Sequence, residues 1–139
     1  MRCATIKDLD TLVSLEHACF PEVDWETREG FRCVILSEND IILLATESGR
    51  ATGYVWVSYN RRTHLHSLCS SKPGFGRKLL AAAEAHAVKH GRRKIHLRVR
   101  TGNERAIALY ERAGYKRLDD LVGYYGDGVD ARCYAKYLR

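Results

Sequence analysis

Apolar and polar residues alternate at Ile95, Leu97 and Val99, the period-2 pattern of a strand with one buried face. A few residues later the period changes. Ala106, Ile107, Leu109, Tyr110 and Ala113 recur at helical spacing, with Asn103 placed to cap the first free N–H groups and Gly114 to close the helix in a left-handed turn. Leu79, Leu80, Ala83 and Ala87 form a second helical stripe. Extended over the chain, the pattern predicts a strand at 2–6, helices at 8–19 and 26–37, and strands at 40–47, 52–59 and 63–69. A helix at 75–90, a strand at 94–100, a helix at 103–113 and strands at 115–119 and 131–138 follow. Glu47-Ser48-Gly49-Arg50 and Asn60-Arg61-Arg62 are the turn signals between the early strands. Meandering strands first and helix-linked strands later imply an α/β (α+β) sandwich on one twisted, mixed sheet. With no repeat, low-complexity tract or linker, residues 1–139 read as a single domain.

Composition narrows the class. The 45% hydrophobic content is ordinary for a globule, and no apolar run reaches the roughly 18 residues a membrane span needs. Met1 leads directly into a polar strand and not a signal peptide, so a cytoplasmic protein is expected. Cys3, Cys19, Cys33, Cys69 and Cys133 are odd in number and contain no C-x-x-C pair, so neither a disulfide framework nor a metal site is indicated. Reduced, largely buried thiols are the expectation.

Charge is uneven. Residues 1–59 carry 5 Lys and Arg against 10 Asp and Glu, whereas residues 60–100 carry 11 against 1. That basic middle suits a solvated face, a nucleic-acid or ribosome surface, or a polyphosphate ligand. It contains Lys72-Pro73-Gly74-Phe75-Gly76-Arg77-Lys78 just before a helical stripe, where free N–H groups and the positive end of the helix dipole make an anion site and glycine permits close approach. This placement favours the polyphosphate reading. Arg92-Arg93-Lys94 has no interleaved aromatics, which argues against nucleic acid. Read alone, Tyr110 fits a packed core tyrosine better than a catalyst.

The order Leu97-x-Val99, Asn103, Ala106, Tyr110, Gly114-Tyr115 resembles the last-helix motif of the GNAT N-acetyltransferase superfamily, in particular its RimI-type ribosomal-protein alanine N-acetyltransferases. Arg2-x-Ala4-Thr5, Leu15-Glu16, Cys19-Phe20-Pro21, Gly53-Tyr54-Val55, Gly74-Phe75-Gly76-Arg77 and Tyr124-Tyr125-x-Asp127-Gly128 fall in the same family order. The resemblance implies a GNAT-like sheet of about six to seven strands flanked by about four helices. It implies acetyl-CoA as co-substrate and no metal. Lys72, Pro73, Gly74, Phe75, Gly76 and Arg77 would cradle the pyrophosphate, Leu68, Cys69 and Ser70 would line the pantetheine arm, and Asn103 and Tyr110 would complete the cofactor site. Tyr110 would be the catalytic acid that protonates the leaving thiolate. Trp25 with Glu22 and Asp24 on one wall, and Tyr124 and Tyr125 on the other, would frame the acceptor.

Two departures matter. The loop Ser67-Leu68-Cys69-Ser70-Ser71-Lys72-Pro73-Gly74 is shorter than the family's, and Arg98 stands where RimI-type enzymes carry a glutamate base. A guanidinium cannot accept a proton. At pH 7 roughly a tenth of an α-amine is neutral, against about one part in 2,500 of lysine side chains, so a site without a strong base suits an α-amine. Water, relayed by His66, Tyr124 or Tyr125, is then the expected proton acceptor. Arg98 is read in two ways: as a group that repels cationic acceptors and pairs with a carboxylate or phosphate, or as a plain exposed side chain. The leading function is acetyl transfer to a protein or peptide N-terminus, including that of a ribosomal protein, or to a small amine, by a monomer or homodimer. The alternative is a degenerate member that binds CoA or a protein partner without efficient catalysis.

Overall fold

The computed structural model describes residues 1–139. Strand β1 (Arg2–Cys3) leads through a 3-10 turn into α1 (Leu9–Cys19), and a second 3-10 turn (Glu22–Asp24) precedes α2 (Arg28–Leu36). Three strands follow, β2 (Asp40–Glu47), β3 (Arg50–Tyr59) and β4 (Thr63–Ser70). Then come α3 (Phe75–Lys89), β5 (Lys94–Arg100), α4 (Glu104–Arg112), β6 (Lys116–Arg117) and β7 (Ala131–Tyr137). The seven strands form one sheet in the order β1-β2-β3-β4-β5-β7-β6, antiparallel except for β4–β5. The mixed sheet with four helices is the expected architecture.

Both terminal strands are shorter than their sequence pattern suggests. The Asp8 carboxylate accepts from the Thr5 backbone N–H at 2.8 Å and starts a turn, so β1 ends at Cys3 instead of reaching residue 6. The regular ladder of β6 keeps two residues of the expected 115–119, although Leu118 N–H still donates to the Cys133 carbonyl at 2.8 Å and Leu121 bridges Ala131, so the chain stays against β7. Elsewhere the boundaries shift by one or two residues, as at α2, which spans 28–36 and not 26–37. Ser48 at φ 51° and Gly49 at φ 80° make the β2–β3 turn.

Two cores form, one on each face of the sheet. Leu79, Leu80 and Ala83 of α3, with Ile107 and Tyr110 of α4, pack on Val55, Val57, Leu65, Leu97 and Val99. Leu9, Leu12 and Leu15 of α1, with Phe31 of α2, pack on Ile42, Leu44 and Tyr54. Each such fully buried side chain contributes roughly 1.5–3 kcal/mol by leaving water. Gly53 permits the close approach of β3, β4 and α3: a Cβ there would lie 2.3 Å from the Cys69 carbonyl oxygen and 2.9 Å from Leu79 Cδ1.

The feature that positions the site is where β4 and β5 separate. Their parallel pairing consists of His64 with His96 and Leu65 with Leu97 only. On the other edge of β4 the register slips: Val57 faces Leu65 while Trp56 faces Ser67, which leaves His66 as an extra residue. Such a bulge bends its strand. β4 therefore leaves β5 just beyond the bulge, and a cleft opens between Ser67–Ser70 and Val99–Arg100.

The cysteines correct the sequence expectation. Cys19 at the end of α1 and Cys69 on β4 form a disulfide, with their Cα atoms 5.9 Å apart. Cys3 and Cys33 are exposed, and only Cys133 of the free thiols is partly buried. The 50-residue separation that hid the pairing in sequence is closed by α1 packing against β4.

Candidate active site at the parting of two strands

On the α3 side the site is made of backbone. Gly74 is the N-cap of α3 at φ 87°, in the left-handed region that favours glycine. No side chain caps this terminus and its first turn carries no acid; Phe75 N–H makes a long 3.4 Å bond to the Lys72 carbonyl, and the N–H groups of Gly76 and Arg77 point out for an anion. Arg77 and Lys78 are exposed beside them. The preceding loop is anchored to β3: both the backbone N–H and the Oγ of Ser71 donate to the Thr52 carbonyl at 2.8 Å. Ser70 Oγ donates to the Lys72 carbonyl at 2.7 Å. Lys72 reaches Glu47 at 3.4 Å, an exposed pair of little energetic weight. A Cβ on Gly76 would meet Leu109 Cδ2 at 3.3 Å and Leu68 Cδ2 at 3.7 Å, so glycine lets the first turn of α3 seat against α4 and β4.

β4 divides its side chains between the two faces. Leu68 packs with the α3–α4 core, whereas Cys69 belongs to the α1 core and is tied to Cys19. Of the pantetheine-lining trio, then, Cys69 can offer that arm only its backbone.

α4 supplies the phenol. Asn103 Oδ1 accepts from the Ala106 N–H at 3.2 Å, capping the helix, and Gly114 follows its end at φ 93°. Tyr110 is buried, edge-on to Tyr115 at 5.8 Å, and its hydroxyl has no protein hydrogen-bond partner. Burial, with Tyr125 adding to it, pushes its pKa well above that of an ordinary phenol. Tyr110 therefore holds its proton at all physiological pH values. Such a group is suited to donate a hydrogen bond to developing negative charge, not to act as a base.

The opposite side is built from ion pairs and rings. Arg100 Nε donates to Asp24 Oδ2 at 2.6 Å and its Nη1 donates to Asp127 Oδ2 at 2.8 Å, while its guanidinium lies 4.3 Å from the Tyr125 ring centroid. The Asp24 hydrogen bonds, with Asp127 behind them, hold this group charged far above neutral pH. One side chain thus joins the loop after α1 to the loop before β7. Trp25 stacks on His17 at 3.7 Å and donates its Nε1–H to the Phe20 carbonyl at 2.8 Å. Tyr124 and Tyr125 meet edge to face at 5.1 Å. Arg98 is exposed, 5.3 Å from the Tyr124 ring, and forms no ion pair. Arg98, Tyr124 and Tyr125 therefore lie together, and Arg100 ties them to Asp24, the chain neighbour of Trp25.

Two arrangements escaped the sequence reading. Arg100 is the first; nothing local marks it as the tie between positions 24 and 127. The second is buried: Glu16, 4% exposed, accepts from the Tyr54 hydroxyl, which lies 3.2 Å from Ser67 Oγ on the departing part of β4. Burial raises the Glu16 pKa. A signal was present, since Glu16 shares the apolar face of α1 with Leu9, Leu12 and Leu15. His66, a suggested relay, stacks on Trp56 at 4.6 Å and is kept neutral by partial burial.

A mixed sheet that splits beside an uncapped helix N-terminus and a buried phenol defines a class of group-transfer enzyme. The acetyltransferase (GNAT) family profile matches residues 9–115, and the chain belongs to that family. It is an acyltransferase of GNAT type. An N-alpha-acetyltransferase of Saccharolobus solfataricus is 28% identical over 154 residues, covering 99% of this chain and 92% of that protein. A mycothiol acetyltransferase of Propionibacterium freudenreichii subsp. shermanii is 31% identical over 133 residues, but the 84% of this chain that aligns spans only 43% of that protein's length. The crystal structure of a ribosomal-protein-alanine N-acetyltransferase from Brucella melitensis superposes with a TM-score of 0.85 at 21% identity, covering 99% of this chain and 98% of that one. No helix is long and apolar enough to cross a membrane.

Proposed function

We propose that this protein, acting as one N-acetyltransferase domain in the cytoplasm, moves an acetyl group from acetyl-CoA to the α-amine of a protein or peptide N-terminus. The observation that carries the reading is the cleft where β4 leaves β5, flanked by the α3 terminus and Tyr110. The uncapped N–H groups of Gly76 and Arg77, with glycine at the two close approaches and cations alongside, fit a pyrophosphate. When bound, acetyl-CoA supplies the activated acyl group. Leu68 and Ser70 flank its arm, Asn103 holds α4 in place, and Tyr110 presents its O–H to the sulfur side of the cleft. With no carboxylate beside Arg98, the amine must arrive neutral or give its proton to water, which favours an α-amine over a lysine. N-alpha-acetyltransferases among the relatives support the same acceptor.

The similarity to mycothiol acetyltransferases favours a second reading, in which the acceptor is a small amine. One experiment separates the possibilities. Acetyl-CoA at 100 times its dissociation constant should stabilise the protein by about 2.7 kcal/mol. A thiol-release assay over N-terminal peptides and small amines should then show transfer, with peptides preferred. A protein without any shift contradicts the cofactor assignment. A shift without transfer to any amine identifies a CoA-binding protein that is not a catalyst.

A further inference from the structure

Arg98 and Arg100 stand two residues apart on one face of β5, yet their surroundings differ completely. Arg100 is enclosed by two carboxylates and a tyrosine ring; Arg98 has no carboxylate within ion-pair distance and only a 3.5 Å contact to the Tyr124 hydroxyl. Its guanidinium fork is free at the acceptor mouth.

The surface that continues from Arg98, away from the cleft, has the same sign. His64 and His96 are register partners on β4 and β5, with ring centroids 5.6 Å apart, and His66 lies 6.1 Å from His64. Arg62 and Lys94 border them, and neither forms an ion pair; Lys94 rests 4.8 Å from the Tyr137 ring. The nearest acid to His66 is Asp40, which already accepts from Trp56 Nε1 at 2.9 Å and from Ser58. The protein therefore provides no counter-charge to Arg62, Lys94 or Arg98. Partial burial first, and then Arg98 at His64 and Lys94 at His96, lower the proton affinity of these two rings.

We propose that this strip selects acceptors whose N-terminus is followed by acidic residues, with Arg98 as the residue that determines the specificity. The inference deepens the transferase reading and rests on it for the position of the amine. An extended peptide advances about 6.6 Å in two residues, which is the spacing from Arg98 to His96 along β5. With its amine at the cleft, a peptide leaving along β5 brings the side chains of its second and fourth residues, which share a face, over Arg98 and then over His96 and His64. Carboxylates there gain charge-assisted hydrogen bonds from a guanidinium that has no carboxylate partner in the protein. Lysine or arginine there meets like charge.

The test uses two matched peptide sets, Ala followed by three Asp or Glu residues and Ala followed by three Lys or Arg residues, on wild-type protein and on Arg98→Glu and Arg62→Glu. Both kcat/KM and direct peptide binding to acetyl-CoA-saturated protein are measured, at low and high salt. Acidic peptides should lead basic ones by at least tenfold, the lead should shrink in salt, and Arg98→Glu should reverse it while the acetyl-CoA thermal shift stays unchanged. Arg62→Glu should give a smaller loss in the same direction. Equal use of both sets, or a preference unchanged in Arg98→Glu, overturns the proposal. So does an equal preference for free carboxylate-bearing small amines, which would make Arg98 a single-anion site. Selective binding of acidic peptides without any transfer would sustain the specificity and sink the transferase reading instead.

Discussion

The two sides of the cleft are held together by different means. The α3 side relies on main-chain groups, namely the free N–H groups after Gly74 and the turn pinned by Ser71 to Thr52, and its working residues lie within a few positions of one another. The acceptor side relies on side chains from three distant segments, with Arg100 spanning Asp24 and Asp127. A backbone anion site tolerates change at most neighbouring side chains and recognises a constant ligand. A side-chain clamp can be retuned one residue at a time, which suits the side of an enzyme that meets varied acceptors.

Tyr110 lies behind the first side, and its replacement should give the largest effect. Tyr110→Phe is expected to lower kcat by roughly 10²- to 10⁴-fold, the usual reach of a positioned acid, with the acetyl-CoA thermal shift retained. Loss of the shift together with activity would assign Tyr110 a packing role.

The disulfide ties β4, which carries Cys69, to the end of α1 at Cys19, just before the loop that holds Asp24. Its removal by reduction, or in Cys19→Ser, should cost about 2–4 kcal/mol, read as a lower denaturation midpoint. An unchanged midpoint would show that α1 docks on β4 without help from the cross-link.

Arg100 tests the clamp. Arg100→Ala should raise the acceptor KM about tenfold and cost roughly 1–3 kcal/mol of stability, since two carboxylates lose their common partner while acetyl-CoA binding is untouched. Arg100→Lys keeps the charge but loses the fork, and should recover only part of the loss. If acetyl-CoA affinity fell instead, the two sides would not be independent.

The smallest effect is electrostatic. Partial burial first and Arg98 second press His64 down to about 4. Because the unfolded value is about 6.5, the folded protein resists taking up this proton; His64 costs no stability above pH 6.5, and stability declines as pH falls from there towards 4. NMR titration should find His64 neutral at pH 6, and Arg98→Glu should move its titration upward by a measurable fraction of a unit.

Much of this molecule was open to inspection from the chain alone. The strand at 94–100, the cap at Asn103, the left-handed Gly114 and the glycine turn before α3 are local matters, set by period, capping chemistry and φ, and the structure has them where the pattern puts them. The family order grouped Tyr124 and Tyr125, whose rings meet edge to face in the structure. Less visible were β1, whose extended-looking sequence yields to the Thr5–Asp8 capping box, and β6, whose ladder shrinks to two residues followed by the isolated Leu121–Ala131 bridge.

What the sequence by itself determined, then, is the set of elements and the chemistry each end carries, because backbone propensities and helix termini act over a few residues. Tertiary structure alone decided that Cys19 meets Cys69, that Arg100 is claimed by Asp24 and Asp127 while Arg98 is left free, and that Glu16 is sealed beneath Tyr54. Those outcomes depend on which faces come together across up to 76 residues of chain. Burial and ion pairing are properties of the packed neighbourhood, and no local pattern specifies a neighbour that arrives from the far end of the fold.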